Sequence, residues 1–399
     1  MMSKNTKIVL AILLGNLFIA FLGIGLIIPV LPTIMNELHI SGTVVGYLTA
    51  AFALTSLVVS PIAGRFADKY GRKIMIILGL ATFAVSELLF GLGKSVEVLF
   101  ISRILGGVSG AFIMPAVTAY IADITTVETR PKALGYMSAA ISTGFIIGPG
   151  VGGFLAEIGT RVPFFSAAVL GGVATVLSIL FLKEPERTEQ PEVIVQEKQK
   201  STLKKVFIPM FLIAFLIIFI SSFGLAVVES FISLYTDHKF SFSPGDIAVL
   251  ITVSAIIGAL SQILLFDRIT QWWGEIKLIR LCLAVSVIFV FVLTQVSGYV
   301  MIIFVITMCF VAFDLIRPAA TSYLSKIAGN DQGFVGGMNS MFTSLANAVG
   351  PILGGVLFDR DVDYPYYLAA VFLAIALGIA LAWKKPQIAS PTGESVKHE

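Results

Sequence analysis

Gly148-Pro149-Gly150-Val151-Gly152-Gly153 recurs about 202 residues downstream as Gly350-Pro351-Ile352-Leu353-Gly354-Gly355. A second echo runs at nearly the same offset: Met114-Pro115-Ala116-Val117-Thr118-Ala119-Tyr120 answers to Arg317-Pro318-Ala319-Ala320-Thr321-Ser322-Tyr323. Every one of these segments lies inside a long apolar run. The runs cover residues 8–31, 43–64, 74–93, 98–121, 133–156, 163–182, 206–235, 245–266, 277–296, 299–323, 334–358 and 364–383. A helix needs roughly 20 apolar residues to cross a bilayer, so the pattern predicts twelve transmembrane helices, with the echoes six spans apart. The runs are continuous rather than alternating, which excludes a closed β-barrel. The expected fold is therefore an all-α polytopic membrane protein of two six-helix bundles related by pseudo-two-fold symmetry. Parallel repeats of this kind are a transporter architecture, with substrate held near the midplane between the halves.

Composition agrees. The chain is 57% hydrophobic and 13% charged, with mean hydropathy +0.95, whereas soluble domains carry about 25% charged residues. A net charge of +3 and scattered basic residues give no footing for a nucleic acid. Cys282 and Cys309 sit within apolar runs, so no disulfide framework is expected. The first run extends to Pro29 without a small-residue cleavage site, and is read as a retained first span. Of the 27 Lys and Arg, 21 fall in the termini and in the loops on their side, 4 (Lys94, Arg161, Lys239, Arg360) in the opposite loops and 2 (Arg103, Arg317) within spans. By the positive-inside rule both termini are cytoplasmic. Residues 1–182 form the first bundle, 183–205 a polar cytoplasmic linker, 206–385 the second bundle and 386–399 a polar tail.

The turn after the second span reads Gly64-Arg-Phe-Ala-Asp68-Lys-Tyr-Gly71-Arg72-Lys73. A short basic turn with one carboxylate can close the cytoplasmic ends of helices by ion pairing and helix-end contacts. An ordinary positive-inside loop would explain its basic residues but not its Gly and Asp spacing. This stretch resembles the G-x-x-x-D-x-x-G-R-K signature of the major facilitator superfamily, and the likeness spans the whole chain, implying the major facilitator fold. The second half keeps Asp267-Arg268 and Gly274 but carries Trp272-Trp273 and Glu275, a degenerate form from which no gating role is expected. Within the superfamily the chain is similar to the drug:proton antiporter group, specifically NorA/Bmr-like multidrug efflux proteins. Phe21-Leu-Gly-Ile-Gly-Leu-Ile-Ile-Pro29-Val-Leu-Pro32, Ser102-Arg103-Ile-Leu-Gly106-Gly107, Gly148-Pro149, Phe313-Asp314-Leu-Ile-Arg317-Pro318 and Asn339-Ser340 carry that likeness.

Gly144, Gly148 and Gly152 share one face of the fifth span, beside Pro149. Small residues at this spacing permit close backbone approach. Generic packing would account for such a face, while the fuller G-x-x-x-G-P-x-x-G-G pattern resembles an antiporter signature, implying a tight interface that hinders leak. Five ionisable groups lie within spans: Glu87, Arg103, Glu229, Asp314 and Arg317. Such groups are functional candidates by default. Asp314 and Arg317 share a helix face, and either pair with each other or leave Arg317 to serve Glu229. A bare carboxylate is costly in hydrocarbon, so these acids can load protons. By resemblance, Glu229 and Asp314 fall where the subgroup keeps its coupling acids. Arg103 matches the family's arginine in the fourth span, linked either to proton handling or to the carbonyls of the first span. Glu87 lies towards the outer end of its span, where solvent access would explain it. Asp123 is expected to pair with Arg72 or Arg130 in the inner gate.

Phe21, Phe52, Phe145, Phe223, Phe310, Phe313 and Phe342 lie on spans that line the cavity in this fold, and a Phe-rich cavity with a few acids suits amphipathic cations. Asn339 and Ser340 add either substrate contacts or interhelical hydrogen bonds. No phosphate-binding loop and no paired His/Cys metal set occurs, so ATP-driven pumping, catalysis, cofactors and metals are not expected. The expected function is proton-coupled multidrug efflux at a bacterial cytoplasmic membrane, by a monomer whose partners are amphipathic small molecules, protons and lipid. Two alternatives stand beside it: export of a single endogenous metabolite, and a non-transporting sensor on the same fold. A Gln196→Cys variant lacking Cys282 and Cys309 tests the topology. An impermeant maleimide should label it only in inverted or broken membranes, and labelling of intact cells would reverse the orientation.

Overall fold

The computed structural model describes residues 4–126, 128–185, 206, 208–328 and 331–383. Most of the expected linker, and all of the tail, lie outside these residues. Among the described residues twelve helical spans are long and apolar enough to cross a membrane, and no strand occurs. The first is α1 (Lys4–Ile27), which passes through a 3-10 turn at Ile28–Val30 into a short helix, Leu31–Leu38. The interruption is local chemistry: Pro29 and Pro32 lack the N–H that the α-helical ladder requires. The span therefore continues past residue 31 and closes only where His39 turns left-handed, at φ 51°.

The remaining spans are α2 (Gly42–Tyr70), α3 (Arg72–Leu92), α4 (Val96–Ile124), α5 (Arg130–Ile158), α6 (Val162–Phe181), α7 (Pro209–Phe240), α8 (Pro244–Trp273), α9 (Glu275–Leu293), α10 (Tyr299–Ala328), α11 (Gln332–Phe358) and α12 (Tyr364–Ala382). Several outrun their apolar segments. α2 carries on from Gly64 through Arg65, Asp68 and Lys69 and stops where Gly71 takes φ 103°. An apolar run measures the hydrocarbon thickness, whereas the helix ends where the backbone must turn. α8 likewise ends at Gly274, φ 75°, the counterpart of Gly71 in the second repeat.

In the first half α1 packs between α5 and α6, while α4 packs on α2 and α3, and α3 on α6. In the second half α7 is wrapped by α10, α11 and α12, and α9 joins α10 to α12. Two seams join the halves, α2 on α11 and α5 on α8. The recurring glycine motif builds both. A Cβ on Gly144 would lie 2.8 Å from the Phe18 carbonyl oxygen, and one on Gly148 would lie 2.7 Å from that of Leu22. Gly152 meets Leu26 in the same way, so this face lies against α1. Gly153 turns instead to Ala248 of α8. In the second repeat Gly354 faces the Phe231 ring of α7, while Gly355 meets the Gly42 backbone of α2. Each motif grips its own half with one face and the other half with the next residue.

Three cross-half hydrogen bonds lie at the end away from the termini: Asn36 to Asp237, and Gly42 and Thr43 to Asp359. These bonds tie the halves together at that end. Gly148→Leu tests the α1–α5 contact. Overpacking there should cost roughly 1–3 kcal/mol, seen as a lower melting temperature in detergent. An unchanged melt would place this face against lipid.

Candidate functional site

α7 is the most enclosed span, yet partway along it the Glu229 carboxylate is exposed at the surface of the helix, with protein packed densely around it. A side chain exposed in so enclosed a span faces a gap between helices rather than the packed core. Asp314 and Arg317, one turn apart on α10, lie within electrostatic range of Glu229. Arg317 is also open, beside a crevice shared with Ser221, Ser222 and Phe313. Among the described residues no ion pair within 4.0 Å joins Arg317 to either acid, so neither expected pair closes in this conformation. Sharing a helix face is not enough, because the Asp314 carboxylate turns to α8 and lies on the bare face of Gly258. A Cβ at that glycine would collide with Asp314 Oδ2. Gly258 was legible only as an isolated glycine inside an apolar run.

The aromatic candidates divide. Phe21 and Phe145 pair across α1 and α5 with ring centroids 5.0 Å apart, and Phe145 is 39% exposed. Phe52 lies over Gly106 of α4. Phe310 is half-buried, and Phe342 stacks on Phe215 at 5.4 Å. Phe313 and Phe223 are buried in the second half, Phe223 stacked on Phe372 of α12 and Phe313 reaching only the wall of the crevice beside Arg317. Asn339 Nδ2 donates to Thr321 Oγ1 of α10 at 3.3 Å, and its Oδ1 is buried without a partner; Ser340 is exposed.

Glu87 departs from expectation. It is 3% exposed rather than solvated, because α4 covers it and Arg103 Nη2 approaches its Oε1 at 3.7 Å. The Arg103 guanidinium lies 4.3 Å from the centre of the Phe90 ring, and Ser86 and Ser102 exchange hydrogen bonds one residue away. Glu87 Oε2 and Arg103 Nε have no partner. Arg103 donates to no α1 carbonyl among the described residues. It belongs to a buried pair within the first half, on the opposite side of the seam from Glu229.

The α2–α3 turn forms a compact knot. Arg72 Nε meets Asp123 at 3.0 Å, its Nη2 meets Asp68 at 3.1 Å, and its Nη1 donates to the Ala67 carbonyl at 3.0 Å. Asp123 thus chooses Arg72, while Arg130 donates to the Ala122 carbonyl. Gly64 has open space around it. Sequence reasoning missed Glu184, just beyond α6, whose carboxylate accepts from the amides of Arg72 (2.6 Å) and Lys73 (3.0 Å). It thereby caps the start of α3 and ties it to α6, and any side chain at Gly71 would strike it. The second half keeps the turn and reverses its charge: Glu275 pairs with Lys326, the counterparts of Arg72 and Asp123. What looks degenerate in sequence is therefore the same joint with opposite polarity. Among the described residues no group of three His, Cys, Asp or Glu could hold a metal.

The model of the Major Facilitator Superfamily matches residues 13–312 and again 214–397. The chain is 64% identical over 383 residues to multidrug resistance protein 1 of Bacillus subtilis, covering 96% of this chain and 98% of that one. It is 42% identical over 371 residues to the quinolone resistance protein NorA of Staphylococcus aureus, covering 93% of each. Among solved structures, a bacterial homologue of the human lysosomal transporter Spinster, inward-facing and unoccupied, superposes with TM-score 0.81 at 17% identity, covering 96% of this chain and 97% of that one.

Burial separates the two partners of Arg72. The Asp68 carboxylate is 73% exposed and that of Asp123 is 12% exposed. Exposed pairs contribute about 0–1 kcal/mol, whereas charged hydrogen bonds in enclosed sites contribute about 1.5–3 kcal/mol. Asp123→Asn should therefore lower the melting temperature by several degrees and Asp68→Asn hardly at all. The reverse order would contradict the assigned knot.

Proposed function

The chain belongs to the major facilitator superfamily, and from that premise we propose that it is a secondary active multidrug efflux transporter, exporting amphipathic, often cationic, drugs and dyes in exchange for protons. It works as a monomer in the cytoplasmic membrane of a bacterial cell, with both termini inside. Its relatives named for multidrug and quinolone resistance support the substrate class, and the 21-to-4 division of basic residues supports the orientation. The observation that carries the coupling is Glu229, exposed deep in a span and, among the described residues, without a contact cation.

The chemistry follows from desolvation. A bare carboxylate in such surroundings costs several kcal/mol, so it takes either a proton or a cation. Opening to the outside delivers a proton, which neutralises Glu229 and releases a bound cation. Opening to the inside lets the proton go and restores the hold on the next substrate. If proton affinity differs by roughly two pH units between the two facings, cation affinity changes about a hundredfold, at about 1.4 kcal/mol per unit. Asp314, on the bare face of Gly258, is the second acid of the pathway, and Arg317 modulates both by charge at a distance. Phe21 and Phe145 offer an aromatic wall for the apolar part of a substrate. Asp68, the exposed member of the α2–α3 knot, is positioned to close the inner face when the halves rock.

Uptake of a fluorescent cationic dye, added outside inverted vesicles, tests the coupling. Glu229→Gln and Asp314→Asn should each abolish dye transport driven by a pH gradient while the protein stays folded. Glu229→Gln should also flatten the pH dependence of dye binding, and neutral substrates should lose less than cationic ones. Retained concentrative transport in both variants would make these acids structural.

A further inference from the structure

We propose that Asp359 is the latch that closes the molecule at the end away from its termini, and that breaking it is the step that lets the halves part there. Its role as a transport step rests on the exporter reading; the latch itself does not. Asp359 stands just beyond α11, and its carboxylate reaches across the seam to the start of α2. Oδ1 accepts from the Gly42 amide at 2.6 Å and Oδ2 from the Thr43 amide at 2.9 Å. The first turn of a helix presents amides that no carbonyl within the helix can satisfy, and it carries partial positive charge. A carboxylate spanning two of them makes paired, charge-assisted hydrogen bonds. Within its own half α2 offers only the Ser41 hydroxyl, to the Val44 amide at 3.4 Å. The cap of α2 is therefore supplied mainly by the other half.

The site is shaped for this contact. A Cβ at Gly42 would lie 2.8 Å from the Phe358 ring and 3.0 Å from Asp359 Oδ1, so only glycine admits the carboxylate. Directly beside it Met35, Val45, Phe231 and Leu234 form a buried cross-half cluster, with Val45 only 1% exposed. When the halves separate at this end, the carboxylate must exchange both amides for water.

The related seam lacks a latch. By the internal repeat, Glu157 is the counterpart of Asp359, and Gly245 and Asp246 are those of Gly42 and Thr43. There α8 caps itself: the Asp246 amide donates to Ser243 Oγ at 3.2 Å, and the Ser243 amide donates to Asp246 Oδ2 at 3.0 Å. Among the described residues Glu157 accepts no amide from α8. It lies instead with Asp246 on the wall of a cleft of about 390 Å3 between α5 and α8. One carboxylate facing vacant amides holds a seam shut, and two carboxylates sharing a cleft do not. Beside the longer, exposed Asn36–Asp237 bond at 3.4 Å, the main closing interaction at this end is thus that of Asp359, on the α2–α11 side.

The test uses purified full-length protein in detergent, with Val45→Cys as reporter in a chain whose Cys282 and Cys309 are replaced by Ala. Adding Asp359→Asn should speed maleimide labelling of the reporter at least tenfold. Asp359→Glu should keep it within about threefold of the parent, and Glu157→Gln should leave it unchanged. In a separate Asp359→Asn chain that retains Cys282 and Cys309, these buried thiols should stay unreactive, which separates seam opening from unfolding. Unchanged labelling of the reporter in a folded Asp359→Asn protein would overturn the latch, and so would equal acceleration by Glu157→Gln. Faster labelling in a protein that exports nothing from vesicles would sink the exporter reading and leave the latch standing.

Discussion

Contact of backbone against backbone along α5 and α11 is the constraint from which the rest of the molecule follows. Lipid tails are as apolar as leucine, so the hydrophobic effect does not hold helices together within a membrane. What remains is van der Waals contact at positions where side chains are absent. Gly144, Gly148 and Gly152 bring α5 onto α1, and Gly153 brings the same helix onto α8. Gly350 and Gly354 bring α11 onto α7, and Gly355 brings it onto α2. Each of these helices is therefore both a core element of its own bundle and half of a seam between bundles. Movement of one half on the other must roll about these two contacts.

Polar groups are arranged around that frame in two ways. At the ends of the helices, cations meet carbonyls and carboxylates meet amides, as helix-end dipoles favour. Arg161 pairs with Glu37 at 2.8 Å and donates to the Gly93 carbonyl at the end of α3. Lys239 pairs with Asp363 at 2.7 Å and donates to the Thr294 carbonyl at the end of α9. The two joints correspond in the repeat with the cation supplied from the opposite member, as in Arg72–Asp123 and Glu275–Lys326. The repeat keeps the geometry of a joint and lets its polarity reverse. Within the spans the halves differ outright. The first holds its charges as a buried Glu87–Arg103 pair, while the second leaves Glu229 and Arg317 exposed. The proton handling proposed above therefore falls to the second half.

Much of this was legible in the sequence. Twelve apolar runs, their repeat and the glycine spacing define the helices and foretell which helix faces approach closely, because those features act through local periodicity. Span ends were less legible, since α2 continues past Gly64 on residues that no apolar pattern detects. Partners across the fold were least legible. Glu184 reads as one more charge in a polar stretch, and Asp359 as a loop residue, until the helix starts that they cap are brought beside them. Phe313 and Phe223 illustrate the converse: the right helix does not fix the direction of a side chain, and both turn into their own bundle.

The central claim is that export is driven by protons through a cleft acid. Its most direct test is purified protein reconstituted into sealed liposomes bearing an internal pH indicator and no other energy source. Adding a permeant cationic substrate to vesicles held at a uniform pH should drive measurable proton movement opposite to the substrate, abolished by a substrate-competing dye. Substrate flux of the same size with no accompanying proton movement would contradict the account.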